Sequence, residues 1–173
     1  MKKAFLPALI ASLLLITLVA GCDTSETPED TGDFAIYLTK NDIPAEEMPV
    51  LSYVEPAEQP LISLDDIVVY DWDTHRIELT ADAYQRLEDT TLTTLGTSFL
   101  VCLDRSPVYW GAFWTPISSR SFDGVVILVP PFEEPENTIQ IQLGYPSPDF
   151  YSGEDPRSNA DIMQSLEQAG KLD

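Results

Sequence analysis

Two thiols, one imidazole and 29 carboxylates are the side chains of this 173-residue sequence that could do chemistry, and their spacing argues against most of it. Cys22 closes the run Leu18-Val19-Ala20-Gly21, whereas Cys102 sits between Val101 and Leu103 and reads as a buried, inert apolar filler. His75 is the only histidine and falls in the polar turn Asp71-Trp72-Asp73-Thr74-His75. Zinc there would have carboxylates alone as further ligands, and a Cys-His dyad would need the ring to reach into the core, so His75 reads as a turn residue. Asp65, Asp66, Asp71 and Asp73 bracket one predicted strand and are oxygen donors of the kind calcium takes. No D-x-[DN]-x-[DN]-G loop accompanies them, which leaves turn formation and solvation as their simpler roles. Glu133, Glu134 and Glu136 lie in a proline loop expected to be mobile, unsuited to a fixed acid–base pair or a rigid cage. No catalytic residue, metal site or cofactor is therefore expected, and the chain is not read as an enzyme.

The stronger lead is aromatic. Ser98 to Leu103 and Val108 to Trp114 are apolar on both faces and are joined by Asp104-Arg105-Ser106-Pro107, which predicts a β-hairpin in the middle of a sheet. Strand alternation puts Trp110 and Trp114 on one face with Val108 and Ala112, and Tyr109 and Phe113 on the other. One set must be core. The other either packs under the C-terminal helix or forms an open platform for a partner protein or a sugar ring, to which Trp72, Phe150 and Tyr151 would add from loops. Trp110, Trp114 and Trp72 are thus the candidate binding residues.

The hairpin needs a setting, and the N-terminus supplies a location. Met1-Lys2-Lys3 followed by the apolar run Ala4–Ala20 predicts a secretory signal peptide over residues 1–21. Leu18-Val19-Ala20-Gly21-Cys22 resembles the lipobox of bacterial lipoproteins. That resemblance implies that Cys22 is diacylated, that cleavage before it makes it the first mature residue, and that its amine is acylated too. Acyl chains such as palmitate would hold the protein to the extracytoplasmic face of a cell membrane without a spanning helix.

Loss of Lys2 and Lys3 leaves seven basic against 29 acidic residues, a net charge of −22. Such a field repels phosphate backbones and anionic lipid surfaces, which excludes nucleic acid as a partner. Residues 22–33 are acidic and lack any large apolar side chain, and they predict a flexible tether. The domain is expected to span 34–173 as one unit.

Within it, Phe34–Thr39, Ile67–Tyr70, Arg76–Leu79, Val125–Val129 and Thr138–Leu143 read as strands, the last alternating strictly. Prolines around Val50–Val54 allow only a short or edge strand there. Thr80 is placed to cap a helix from Ala81 to about Thr94, ended by Gly96, with Leu79, Ala83, Leu87 and Leu95 near one stripe. A second helix follows an S-x-x-D pattern at Ser158 and Asp161, carries Ile162, Leu166 and Ala169 on one stripe, and stops at Gly170. The expected fold class is α+β, a mixed, mainly antiparallel sheet of five or six strands with two packed helices.

The segment Leu64–Ile127 resembles the extracytoplasmic head region of the SecD subunit of the protein translocase, at Asp66-Ile67, Ile77, Leu79-Thr80, Ala83-Tyr84, Gly96, Leu103-Asp104 and Val108 to Ala112. The resemblance implies an α+β fold. Taken whole, the chain resembles bacterial lipoproteins of unknown function. Two functions are expected from these readings: a lipid-anchored, non-enzymatic interaction module with an envelope protein as partner, or a lipoprotein binding a glycan or divalent cation through aromatic and carboxylate side chains.

Overall fold

The computed structural model describes residues 32–131 and 134–173. The expected signal segment, Cys22, the expected tether up to Thr31 and Glu133 lie outside the described residues. The strands are β1 (Phe34–Leu38), β2 (Ile62–Ser63), β3 (Ile67–Asp71), β4 (Arg76–Leu79), β5 (Thr97–Leu103), β6 (Ser106–Trp114), β7 (Phe122–Leu128) and β8 (Thr138–Tyr145), with helices α1 (Ala81–Glu88) and α2 (Ala160–Gln168). They form one α+β sheet in the order β2-β1-β5-β6-β7-β8-β4-β3, in which only β6 and β7 are parallel.

Eight strands stand where five or six were expected. β2 is two residues long and offers no periodicity to read, and the β3–β4 hairpin joins the same sheet through β8. The Val50–Val54 stretch is no strand: Leu51–Tyr53 is a 3-10 turn.

The sheet must curl. Its two edge strands, β2 and β3, are joined by the single 3-10 turn Leu64–Asp66. Four Cα steps from Ser63 to Ile67 reach ~14 Å at most. Eight strands laid flat would hold those edges about 33 Å apart. The Phe34 ring of β1 accordingly meets the Tyr70 ring of β3, centroids 6.2 Å apart and edge-on.

The seam is closed by the C-terminus. Tyr70 donates its N–H to Lys171 O (2.7 Å) and accepts from Asp173 N–H (3.0 Å). On α2, the Ser165 hydroxyl accepts from Phe34 N–H (3.1 Å) and donates to Gly32 O (2.7 Å), while Ile162 and Leu166 enter the core. The concave face is filled by alternate residues of the strands, among them Ile36, Ile77, Phe99, Phe113, Ile127 and Ile139, all fully buried. A curled sheet so packed encloses a core and not a chamber.

Local sequence explains where the elements stop. Thr80 caps α1 by accepting from Ala83 N–H, but the helix ends at Glu88, six residues before the expected end. Threonines 90, 91, 93 and 94 follow, poor helix formers whose hydroxyls compete for backbone: Thr90 donates to Arg86 O and Thr93 to Gly96 O. Leu95 therefore leaves the helical stripe and is exposed. Asn159, and not Ser158, caps α2, accepting from the N–H groups of Asp161 and Ile162. At its other end Gly170 (φ +66°) turns the chain, with Gly170 N–H bonded to Glu167 O and Lys171 N–H to Leu166 O, so these two of the last-turn carbonyls are satisfied.

The hairpin turn is two residues rather than four. Asp104 (φ +45°) and Arg105 (φ +66°) both adopt the left-handed conformation, and the strands run on to Leu103 and Ser106. Neighbours hold this costly turn in place. Asp104 accepts from Asp33 N–H (2.9 Å), and Arg105 donates to Glu58 O (2.8 Å) with its guanidinium over the Tyr37 ring.

Candidate functional site

The central hairpin divides its aromatics as alternation requires. Tyr109 and Phe113 face the core with Phe99 and Val101, and Trp110, Ala112 and Trp114 face outward. Val108 is the exception. A bulge where Val101 pairs with Tyr109 but Cys102 with Pro107 makes Val108 the extra residue, and it packs with the core instead of the tryptophans.

The outward face is covered, though not by the C-terminal helix. Ile43, Met48 and Leu51, from the connection between β1 and β2, lie over Tyr37, Leu100 and Cys102, with Val54 buried among them. Residues 115–121 run back across the sheet because β7 is parallel to β6, and Tyr145 pins them by donating to Pro116 O (2.8 Å). An Arg120–Glu46 ion pair (3.0 Å) ties the two covers together. Under them Trp114 is 3% exposed and stacks on Phe122 at 5.2 Å, while its Nε1–H and the Ser98 hydroxyl have no hydrogen-bond partner.

Trp114 thus belongs to the packing, the first of the two alternatives, though beneath these connections and not the C-terminal helix, and it forms no open platform. Trp110 is only half buried, its ring edge-on to Phe122 at 5.9 Å. It borders two hollows of about 360 Å³ each, one shared with Tyr151 and the other with Trp114 and Phe122. Trp72 does not join them. It lies just past the end of β3, three strands further along the sheet than β7, against Tyr70 and His75. Phe150, in the 3-10 turn Pro148–Phe150, is exposed, whereas Tyr151 borders the Trp110 hollow.

The aspartates do structural work. Asp66 accepts from both the N–H and the hydroxyl of Ser63 and pairs with Arg86 at 2.8 Å. Burial works against its charge, and these bonds outweigh it, leaving the carboxyl below its ordinary range. Asp71 caps the β3–β4 turn by accepting from the Thr74 hydroxyl and N–H, which lower it likewise. The two aspartate pairs stand at opposite ends of β3, too far apart to share one ion. Among the described residues no three His, Cys, Asp or Glu side chains meet as a metal would require. Glu134 is not in a free loop: it accepts from Arg76 Nε at 2.8 Å, and its side chain is 6% exposed. Burial pushes the Cys102 thiol up to about 12, so no thiolate forms near neutrality.

His75 is the residue that sequence reasoning missed. It does sit in the turn, at φ +53°, but its ring is buried, with Nδ1 3.1 Å from the Tyr70 hydroxyl and the Tyr70 and Trp72 rings edge-on to it. A left-handed backbone reverses the expected direction of the side chain, and no period signals that. Burial, helped by the Arg157 charge, lowers its pKa below the ordinary 6.5, against the opposing pull of Asp155, Asp71 and Asp73. The folded protein therefore holds the neutral ring, and the unfolded chain takes up a proton first. Stability should be complete above about pH 6.5 and should fall as pH drops from there through the depressed folded value. His75→Asn, which tolerates the left-handed turn, should flatten that slope between pH 7 and 5.5 in denaturant titrations. Equal slopes in both proteins would refute this account.

The surface is one-sided. All seven cations of the described residues are engaged internally: Lys40, Arg76, Arg86, Arg120 and Arg157 on carboxylates, Arg105 and Lys171 on carbonyls. Among the described residues every cation therefore has an internal partner. The chain matches no protein-family model, no curated protein and no solved structure.

Proposed function

We propose that this chain is an exported lipoprotein, held at the extracytoplasmic face of a cell membrane by lipid on Cys22, whose domain is a non-enzymatic interaction module of the envelope. The observation that carries the reading is the register of Lys2-Lys3, the apolar run Ala4–Ala20 and Leu18-Val19-Ala20-Gly21-Cys22. Among the described residues no helix is long and apolar enough to cross a membrane. Support for a binding role in place of a chemical one comes from the locked state of the reactive side chains. The Cys102 thiol and the His75 ring are both buried in packing, while Trp110, Tyr151 and carboxylates are among the groups at least partly open. Partners should be neutral or basic.

Cys22→Ala should shift the protein out of the membrane fraction, or leave an unprocessed precursor, and should abolish incorporation of labelled palmitate. Unchanged fractionation and labelling would refute the anchor. A pull-down from native membranes with the intact lipoprotein should then retain an envelope partner.

One observation favours a second reading, that of a glycan-binding lipoprotein. Trp110 and Tyr151 border one hollow together with the Asp123 carboxylate. A divalent cation receives no such support, since the paired aspartates end up at opposite ends of β3.

A further inference from the structure

Trp110 and Asp123 border both hollows, one on the outer face beside Trp114 and Phe122 and one where β6 and β7 part and Val108, Tyr109 and Val125 are reached, so the two adjoin as one groove with an aromatic residue at its middle. The groove has a structural cause. β6 begins at Ser106 and β7 at Phe122, but their ladder begins only at Gly111↔Val125, so the leading ends of the two strands diverge. Phe122 is held against Trp110 because its ring lies over Gly124, where a Cβ would come within 2.7 Å of ring carbons. The floor of the groove is therefore set by strands and close packing and not by loop conformation.

The chemistry of the lining narrows the ligand. Tyr151 and Leu51 flank the first hollow, and Trp114 and Phe122 the second. The charged groups are the carboxylates of Asp123 and Glu46 and the Arg120 guanidinium, which is spent on Glu46. The hydroxyls of Ser121 and Ser152 also line the hollows, and Asp123 accepts from Ser152 at a long 3.4 Å, so lone pairs of its carboxylate remain for a ligand. A ligand that donates protons suits these groups, and an anion does not. An extended peptide adding as a strand would need backbone groups at this edge, yet Asp123 O is already taken by Ser152 N–H (3.2 Å). Side chains must then do the recognition. An apolar ring face beside hydroxyl-accepting carboxylates is the pairing that suits a pyranose, which has a C–H face for the aromatic and hydroxyls for the acids.

We propose that the two hollows are adjoining subsites for an oligosaccharide of neutral or amino-bearing sugars, with Trp110 stacking on a ring at their junction and Asp123 accepting hydroxyl or ammonium protons. The assignment rests on the glycan-binding reading above and names its ligand class and register.

The test uses the full chain in detergent, titrated by calorimetry and tryptophan emission with three tetramers: N-acetylglucosamine (neutral), glucosamine (cationic) and galacturonate (anionic). The first two should bind saturably, at least ~10-fold tighter than their monosaccharides because two subsites are filled, and the third should not bind. Trp110→Ala should weaken binding by ~10-fold or more. Trp110→Phe, which keeps a ring on Phe122 and preserves the packing, should weaken it less. Asp123→Asn should reduce glucosamine binding more than N-acetylglucosamine binding. The proposal is overturned if neither sugar binds, if the galacturonate tetramer binds as well as the others, or if binding is indifferent to both Trp110→Phe and Asp123→Asn. Capture of an envelope partner by the wild-type and Asp123→Asn proteins, run in parallel, reports on the interaction-module reading independently. Partner capture without sugar binding would sink the sugar site alone.

Discussion

Truncating Phe99 or Phe113 to alanine is expected to cost about 3–5 kcal/mol each, a large part of the stability of a domain this size. Both rings are fully buried, they lie 4.8 Å apart between centroids, and they belong to neighbouring strands at the centre of the sheet order. The Phe99 ring also lies across Gly111, its register partner on β6, where any Cβ would collide with it and with Val125 O. No neighbour can collapse into the space such a ring leaves, because the flanking positions are themselves packed strand residues. The double variant should lose less than the sum of the singles, since the ring–ring contact of roughly 0.5–1.5 kcal/mol is removed only once. Denaturant midpoints at unchanged slope measure all three. Losses under about 1 kcal/mol in both singles would mean the concave face is not the core.

That core was legible in the sequence wherever period and punctuation agree. The apolar runs around Asp104 gave the hairpin, Thr80 gave the start of α1, and Gly170 gave the end of α2, because each is a local signal with a local cause. The strand count failed at β2, since two residues cannot display an alternation, and at the β3–β4 hairpin, whose place in the same sheet through β8 no local pattern shows. Curling of the sheet was invisible for a different reason. It follows from the three-residue turn between β2 and β3 only once those strands are known to be opposite edges, and strand order is a property of the whole chain.

The candidate site shows the same division. Alternation put Trp110 and Trp114 on one face, as observed. What covers that face is two connections without a named strand or α-helix, residues 39–61 and 115–121, whose placement no pattern encodes. The parallel pairing of β6 with β7 compels the second of them to cross the sheet, yet nothing in Val125–Val129 announces that direction. Trp72 was grouped with the other tryptophans by residue type, and the strand order separates it from them. His75 escaped for want of any sign that its backbone would turn left-handed.

The covered face yields the second large effect, and it separates two neighbouring tryptophans. Trp114→Ala should cost about 3–5 kcal/mol, as for a core ring, because Trp114 is stacked on Phe122, near Tyr145 at 6.0 Å, and closed over by Gly96 and Ala45. Trp114→Phe should be far milder. It keeps a ring on the stack and removes a buried Nε1–H that has no acceptor, and such an orphan donor itself costs about 1–3 kcal/mol, which offsets much of the lost contact. Trp110→Ala should fall well below Trp114→Ala, because a half-buried ring leaves no sealed cavity. Equal losses for Trp110→Ala and Trp114→Ala in unfolding titrations would place both rings in the core, and the groove would then lose the aromatic that both of its hollows share.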